Sequence, residues 1–161
     1  MTNVYFMSSK TLLIVGHTPS SNTQALVNAL LAGAHHPDIQ EINVVYKPAL
    51  QATADDIRVC QAIILFTTEN LGYMSGALKD FFDRCYYPVL EEKQGLPCAI
   101  IIRAGHDGTG TRRAIDTILT GLRWRQVHEV LILRGQWQDE FLAQAEELGL
   151  YMAAGLEAGI W

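Results

Sequence analysis

The sequence predicts a doubly wound α/β domain: a five-stranded parallel sheet in the order 2-1-3-4-5, with helices on both faces. Three observations predict it. Five short apolar runs alternate with five helical patterns along the chain, as strands do when crossover helices link them. The runs show little internal alternation, as in parallel strands buried on both faces. The polar or glycine-rich loops follow the first, third and fourth strands, at 17–23, 68–76 and 104–111. That strand order brings all three to one end of the sheet, where open α/β folds bind ligands.

The elements follow in order. Residues 1–9 show no clear periodicity and read as a flexible leader, which leaves 10–161 as a single domain. Thr11–Gly16 is the first strand, and Leu26, Val27, Leu30, Leu31 and Ala34 mark one face of the helix that follows. His35-His36-Pro37 stops that helix, and Glu41–Tyr46 forms strand two. Thr53 to Asp56 resembles a capping box opening a short helix to about Cys60. Ala62–Thr67 is strand three, 68–74 a loop, and Ser75 or Gly76 starts a third helix with Ala77, Leu78, Phe81, Phe82 and Cys85 inward. Its outer face pairs Lys79 with Asp83 and Asp80 with Arg84, four residues apart. Tyr86-Tyr87-Pro88 ends it, and Pro97–Ala104 is strand four, apolar except for Arg103. A fourth helix buries Ala114, Ile115, Ile118, Leu119 and Leu122. Val127–Leu133 is strand five, and the last helix runs from about Gln138.

Composition narrows the function. With 161 residues the chain holds one full core, and 49% apolar residues make it an ordinary folded domain. A net charge of −5, with no basic cluster larger than Arg112-Arg113, argues against nucleic acid. No apolar run approaches the ~18 residues a membrane span needs, so no membrane insertion is expected. Cys60, Cys85 and Cys98 are odd in number and lack metal-ligand spacing. They read as reduced core thiols of a cytoplasmic protein.

The first loop, His17-Thr18-Pro19-Ser20-Ser21-Asn22-Thr23, joins a buried strand to a helix N-terminus. Unpaired amides, the helix dipole and hydroxyls make such a turn suited to phosphate; taken alone, its Ser and Asn do no more than cap a helix. Other chemistries fail on spacing. A P-loop needs a Lys after its glycines, and 16–23 has none. Cys98 and Arg103 have four intervening residues where a low-molecular-weight phosphatase has five, and Gly72-Tyr73-Met74-Ser75-Gly76 places serine one position late for a nucleophile elbow. A two-component receiver needs acids where this chain has His17 and Thr67.

The run from Thr67 to Arg84, TTENLGYMSGALKDFFDR, resembles the tPxYxGxMSGxLKxFxDR signature of the flavodoxin-like NAD(P)H-dependent FMN reductases. The first and third loops resemble that family's FMN phosphate loop and third flavin loop, so the likeness spans 11 to about 157. It implies a flavodoxin-like fold with FMN as cofactor and NADH or NADPH as electron donor to a quinone, free flavin or similar acceptor. By position it implies that Thr18, Ser20, Ser21, Asn22 and Thr23 hold the phosphate, with His17 replacing the usual hydroxyl residue at the loop start. It places Thr68, Glu69, Asn70, Leu71, Gly72, Tyr73, Met74 and Ser75 along the isoalloxazine, and Ala104, Gly105, His106, Asp107 and Gly108 at its other edge. Thr68-Glu69 departs from the family, which commonly has Pro and a small or aromatic residue there.

No side chain is expected to act as nucleophile or base, since the flavin carries the chemistry. Backbone amides of 104–108 are candidates to support negative charge at the ring's N1/O2 edge. Tyr73 either stacks on the ring or covers the pocket. Trp124, Trp137, Tyr86-Tyr87 and Ile160-Trp161 are candidate surface aromatics, and with the resemblance they favour a homodimer or homotetramer. Two rival functions stay open: a flavodoxin-type electron carrier that docks protein partners, and a binding protein of this fold without catalysis.

Overall fold

In the computed structural model, which describes residues 9–161, the first apolar run forms strand β1, Lys10–Gly16. It is followed by α1 (Ser21–Ala34), β2 (Ile42–Pro48), α2 (Ala54–Val59) and β3 (Ala62–Asn70). Next come β4 (Tyr73–Met74), α3 (Gly76–Val89), β5 (Pro97–Ala104) and α4 (Thr109–Leu122). The chain continues with β6 (Arg125–Gln126), β7 (Leu131–Arg134) and α5 (Glu140–Glu157). The expected leader, 1–9, lies outside the described residues except for Ser9.

β2, β1, β3 and β5 lie side by side and parallel, and β6 and β7 both pair with the outer edge of β5. This is the doubly wound order the sequence predicts, with the fifth strand split in two. Cys98 pairs with Gln126 and Ile101 with Leu131, so five residues of the edge strand span three of β5. The polar His128-Glu129 pair sits in this bulge, where the His128 ring contacts the carbonyl of Glu129.

The buried strands hide a period of two that their composition masks, because both faces are covered. Leu13, Val15, Ile63, Leu65, Cys98 and Ile100 pack with Leu78, Phe81, Ile115 and Leu119 from α3 and α4. Leu12, Ile14, Ile64, Phe66, Ala99 and Ile101 face Leu26, Leu30, Leu148 and Met152 from α1 and α5. On that second face α1 and α5 touch backbone to backbone. A methyl group at Gly33 would overlap the carbonyl of Glu146, and one at Gly149 that of Leu30.

Three local expectations are corrected. α3 does not stop at Tyr86-Tyr87-Pro88 but runs through Val89, because proline in the last turn removes a single helical bond. The segment 68–74 is a hairpin rather than a loop: Glu69 pairs with Met74 and Asn70 with Tyr73. Trp124 is a core residue, 7% exposed, while Trp137 and Trp161 are half-buried against the α1–α5 core. The cysteines are free and buried, and burial pushes the thiols of Cys60 and Cys98 up to about 11 and about 12.

Candidate functional site

The C-terminal ends of β1, β3 and β5 are neighbours. Gly16 is in register with Phe66, and Thr68 with Arg103, so the loops that follow emerge side by side. Strand order reverses between β1 and β3, which makes this end the ligand-binding edge expected of the fold.

The first loop is built around a capping box. Ser20 is the N-cap of α1; its hydroxyl accepts the Thr23 amide, and Thr23 Oγ1 accepts the Ser20 amide at 3.0 Å. These two hydroxyls serve the turn itself, and Thr18 Oγ1 donates to Gln24 Oε1 at 3.2 Å. The amides of Ser21 and Asn22, in the exposed first turn, have no partner among the described residues. No acidic residue stands in that turn. His17 is half-buried at the loop's start. Two free amides on a positive helix end, with hydroxyls alongside and no carboxylate, fit a phosphate group.

The second loop is the β3–β4 hairpin. Leu71 (φ 53°) and Gly72 (φ 74°) are its two central residues, both left-handed, as a two-residue hairpin turn requires. Thr67 cinches the neck: its buried hydroxyl accepts the Ser75 amide at 2.9 Å and donates to the Thr68 carbonyl at 2.8 Å. Met74 and Ser75 turn inward, Met74 into the core and Ser75 Oγ onto the Leu78 amide as N-cap of α3. Of the expected ring-lining residues, Asn70, Leu71, Gly72 and Tyr73 are the exposed ones, with Tyr73 41% exposed. Asn70 accepts from the Thr68 hydroxyl.

The third loop leaves β5 over a base fixed by Arg103. Its guanidinium donates to the carbonyls of Ala104, Leu133 and Gly135 and lies over the Phe141 ring. Ala104 and Gly108 are buried, while Gly105, His106 and Asp107 are exposed. Asp107 Oδ1 accepts the Thr109 amide at 2.9 Å. That bond, helped by His106 and Arg134 nearby, holds its carboxyl below the usual aspartate value.

Sequence reasoning missed how the second and third loops meet. Glu69 accepts the amides of His106 and Gly108, and the carbonyl of Gly72 rests on Gly110 in the first turn of α4. The glycine at 110, with Gly105 and Gly108 before it, was the one available signal of that close approach. Arg84 and Lys79 form the expected pairs with Asp80 and Asp83, and Arg84 also ties α3 to the carbonyls of Ala49 and Ala52. Among the described residues no group of His, Cys, Asp and Glu is arranged to hold a metal, and no helix is long and apolar enough to cross a membrane.

Several solved structures similar to this chain are flavodoxins or flavodiiron proteins by name. A flavodoxin from the domain Archaea matches with TM-score 0.76 and 19% identity, over 91% of this chain and 98% of that one. A WrbA-like flavodoxin from Agrobacterium tumefaciens gives 0.69 and 16%, over 91% and 96%. The flavodiiron core Flv1 of Synechocystis sp. PCC6803 gives 0.76 and 13%, over 95% of this chain and 37% of that chain. At such identities these likenesses establish the flavodoxin-like fold. No curated protein sequence is significantly similar. The family described as NADPH-dependent FMN reductase matches residues 9–138, from β1 through all three loops to just short of α5. The match takes in the phosphate-fitting turn at the reversal of strand order and the two loops beside it, and the chain belongs to the NADPH-dependent FMN reductases.

Proposed function

We propose that the protein binds FMN across the three loops and passes electrons from NADPH or NADH to a small acceptor such as a quinone or free flavin. The observation that carries this reading is the first turn of α1, where the Ser21 and Asn22 amides have no partner among the described residues, beside the reversal of strand order. They would take the phosphate, with Thr18 and the Ser20–Thr23 box shaping the turn. The absence of Lys and Arg from 17–23 suits a mononucleotide, and no GxGxxG is present for a dinucleotide pyrophosphate. When bound, FMN supplies hydride and electron transfer, and the chain's part is to seat and screen the ring.

Access supports a reductase over a carrier. Tyr73 is the single aromatic in 68–76, and 104–111 has none, so one ring face is left open to a nicotinamide. Leu50, Val59 and Tyr87 are exposed on the α2–α3 side and support a homodimer or homotetramer. The three reduced, buried thiols suit a cytoplasmic setting.

The test is spectroscopic. FMN-loaded protein mixed anaerobically with NADPH or NADH should lose its yellow colour within seconds and regain it with a quinone. Bleaching over hours with both donors, but quickly with a reduced protein partner, would make it a carrier. FMN that shows no quenching or spectral shift on saturation would leave a binding protein. Light scattering near 18 kDa would remove the oligomer.

A further inference from the structure

Glu69 stands on β3 just beyond the sheet, and its carboxylate reaches across to the loop after β5. Oε1 accepts the His106 amide at 2.9 Å and Oε2 accepts the Gly108 amide at 2.6 Å. Such charge-assisted bonds are about twice as strong as neutral ones. Gly108 lets both amides converge on one carboxylate: its φ is 71°, and a side chain there would press on Ile132. Gly108 is also the N-cap of α4 and supplies no side-chain cap, while the first turn of α4 holds no acidic residue. Asp107 takes the Thr109 amide, and Glu69 brings a second carboxylate to this helix start from another element.

The arm carrying Glu69 is fixed at both ends. Thr67 closes the hairpin neck through the Ser75 amide, and Gly72 rests on Gly110 at the tip. The two amides Glu69 takes belong to the segment, 104–108, that would otherwise face the ring edge where negative charge gathers.

We propose that Glu69 is a positioning residue of the flavin site: it holds the 104–108 loop in shape and withholds the His106 and Gly108 amides from the ring. This rests on the FMN reading above. A fixed carboxylate near the ring disfavours added negative charge, so the site binds oxidised FMN in preference to reduced.

Three variants of the full chain separate the parts. Without FMN, hydrogen exchange followed by NMR should show the His106 and Gly108 amides protected in wild type. In Glu69→Ala they should exchange about tenfold faster or more, with β5 unchanged. With FMN bound, Glu69→Gln should raise the midpoint potential, and about tenfold tighter relative binding of reduced FMN corresponds to about 30 mV for a two-electron couple. Glu69→Asp, which keeps the charge but is too short to span both amides, should lose the protection and raise the potential by less than Glu69→Gln does. A purely structural role would shift the potential equally in Gln and Asp variants, or in neither, and would overturn the electrostatic assignment. Unprotected amides in wild type would overturn the latch itself. Failure of wild type to bind FMN would refute the flavin reading and the potential shift with it, while the exchange result would still decide whether the latch exists.

Discussion

The carbonyl of Gly72 packs against Gly110 so closely that a methyl group at position 110 would overlap it. The hairpin tip and the first turn of α4 thus fit only without a side chain between them. Gly110→Ala should force the tip outward and destabilise the fold by about 1–3 kcal/mol, the range for overpacking a tight contact. Gly76 in the first turn of α3 is the control, since nothing lies within 4 Å of the space a methyl would take. Gly76→Ala should be neutral or stabilising by up to about 1 kcal/mol. Urea melts of the two variants, read side by side, check the pair.

The phosphate turn predicts opposite effects from one substitution. Ser21 is exposed at the first position of α1, and that turn holds no acidic residue. Ser21→Asp should therefore stabilise the cofactor-free protein by about 0.3–1 kcal/mol through the helix dipole. The same carboxylate would face the phosphate of FMN and repel it. Binding measured by flavin fluorescence should weaken by about tenfold or more. A variant that melts higher and still binds FMN as wild type does would move the phosphate elsewhere.

How much of this was legible in the sequence depends on how local the cause was. The strands and inward helix faces follow from apolar runs and spacing, and the Ser20–Thr23 turn shows in its own residues. The hairpin at 69–74 was hidden because Leu71 occupies a left-handed turn position where Asn, Asp or Gly is the usual signal. α3 looked finished at Pro88 because a proline's effect depends on how much helix remains after it. The Glu69 contact joins residues 37 and 39 apart through side chain to backbone, so neither composition nor period records it.

Asp107 gives the third loop an acid-side dependence. The Thr109 amide, first among its causes, holds the carboxyl below the ordinary 3.8. A carboxyl depressed in the folded state adds stability above its unfolded value of about 3.9, and that stability is lost as pH falls through the lower folded value. Its NMR titration midpoint should lie below 3.8. Melts of wild type and Asp107→Asn should converge as pH drops from 6 toward 2, because the wild-type advantage is carried by the ionised form. Curves that stay parallel over that window would remove the carboxylate from the turn.

Leu71 sits at the hairpin tip with φ of 53° and its side chain fully exposed. Left-handed backbone costs an ordinary residue about 1–2 kcal/mol, and here no burial offsets it. Asparagine tolerates that conformation through local hydrogen bonding, whereas glycine removes the strain but adds about 0.5–1 kcal/mol of unfolded-state entropy. Leu71→Asn should therefore stabilise by about 0.5–1 kcal/mol, and Leu71→Gly by less, because its two effects nearly cancel. The order Asn above Gly above Leu in urea midpoint is the outcome that checks this. If leucine proves the most stable of the three, its side chain is held by a contact beyond the single chain. Dilution would then expose that contact, because the leucine advantage would fall with protein concentration if a second copy provides it.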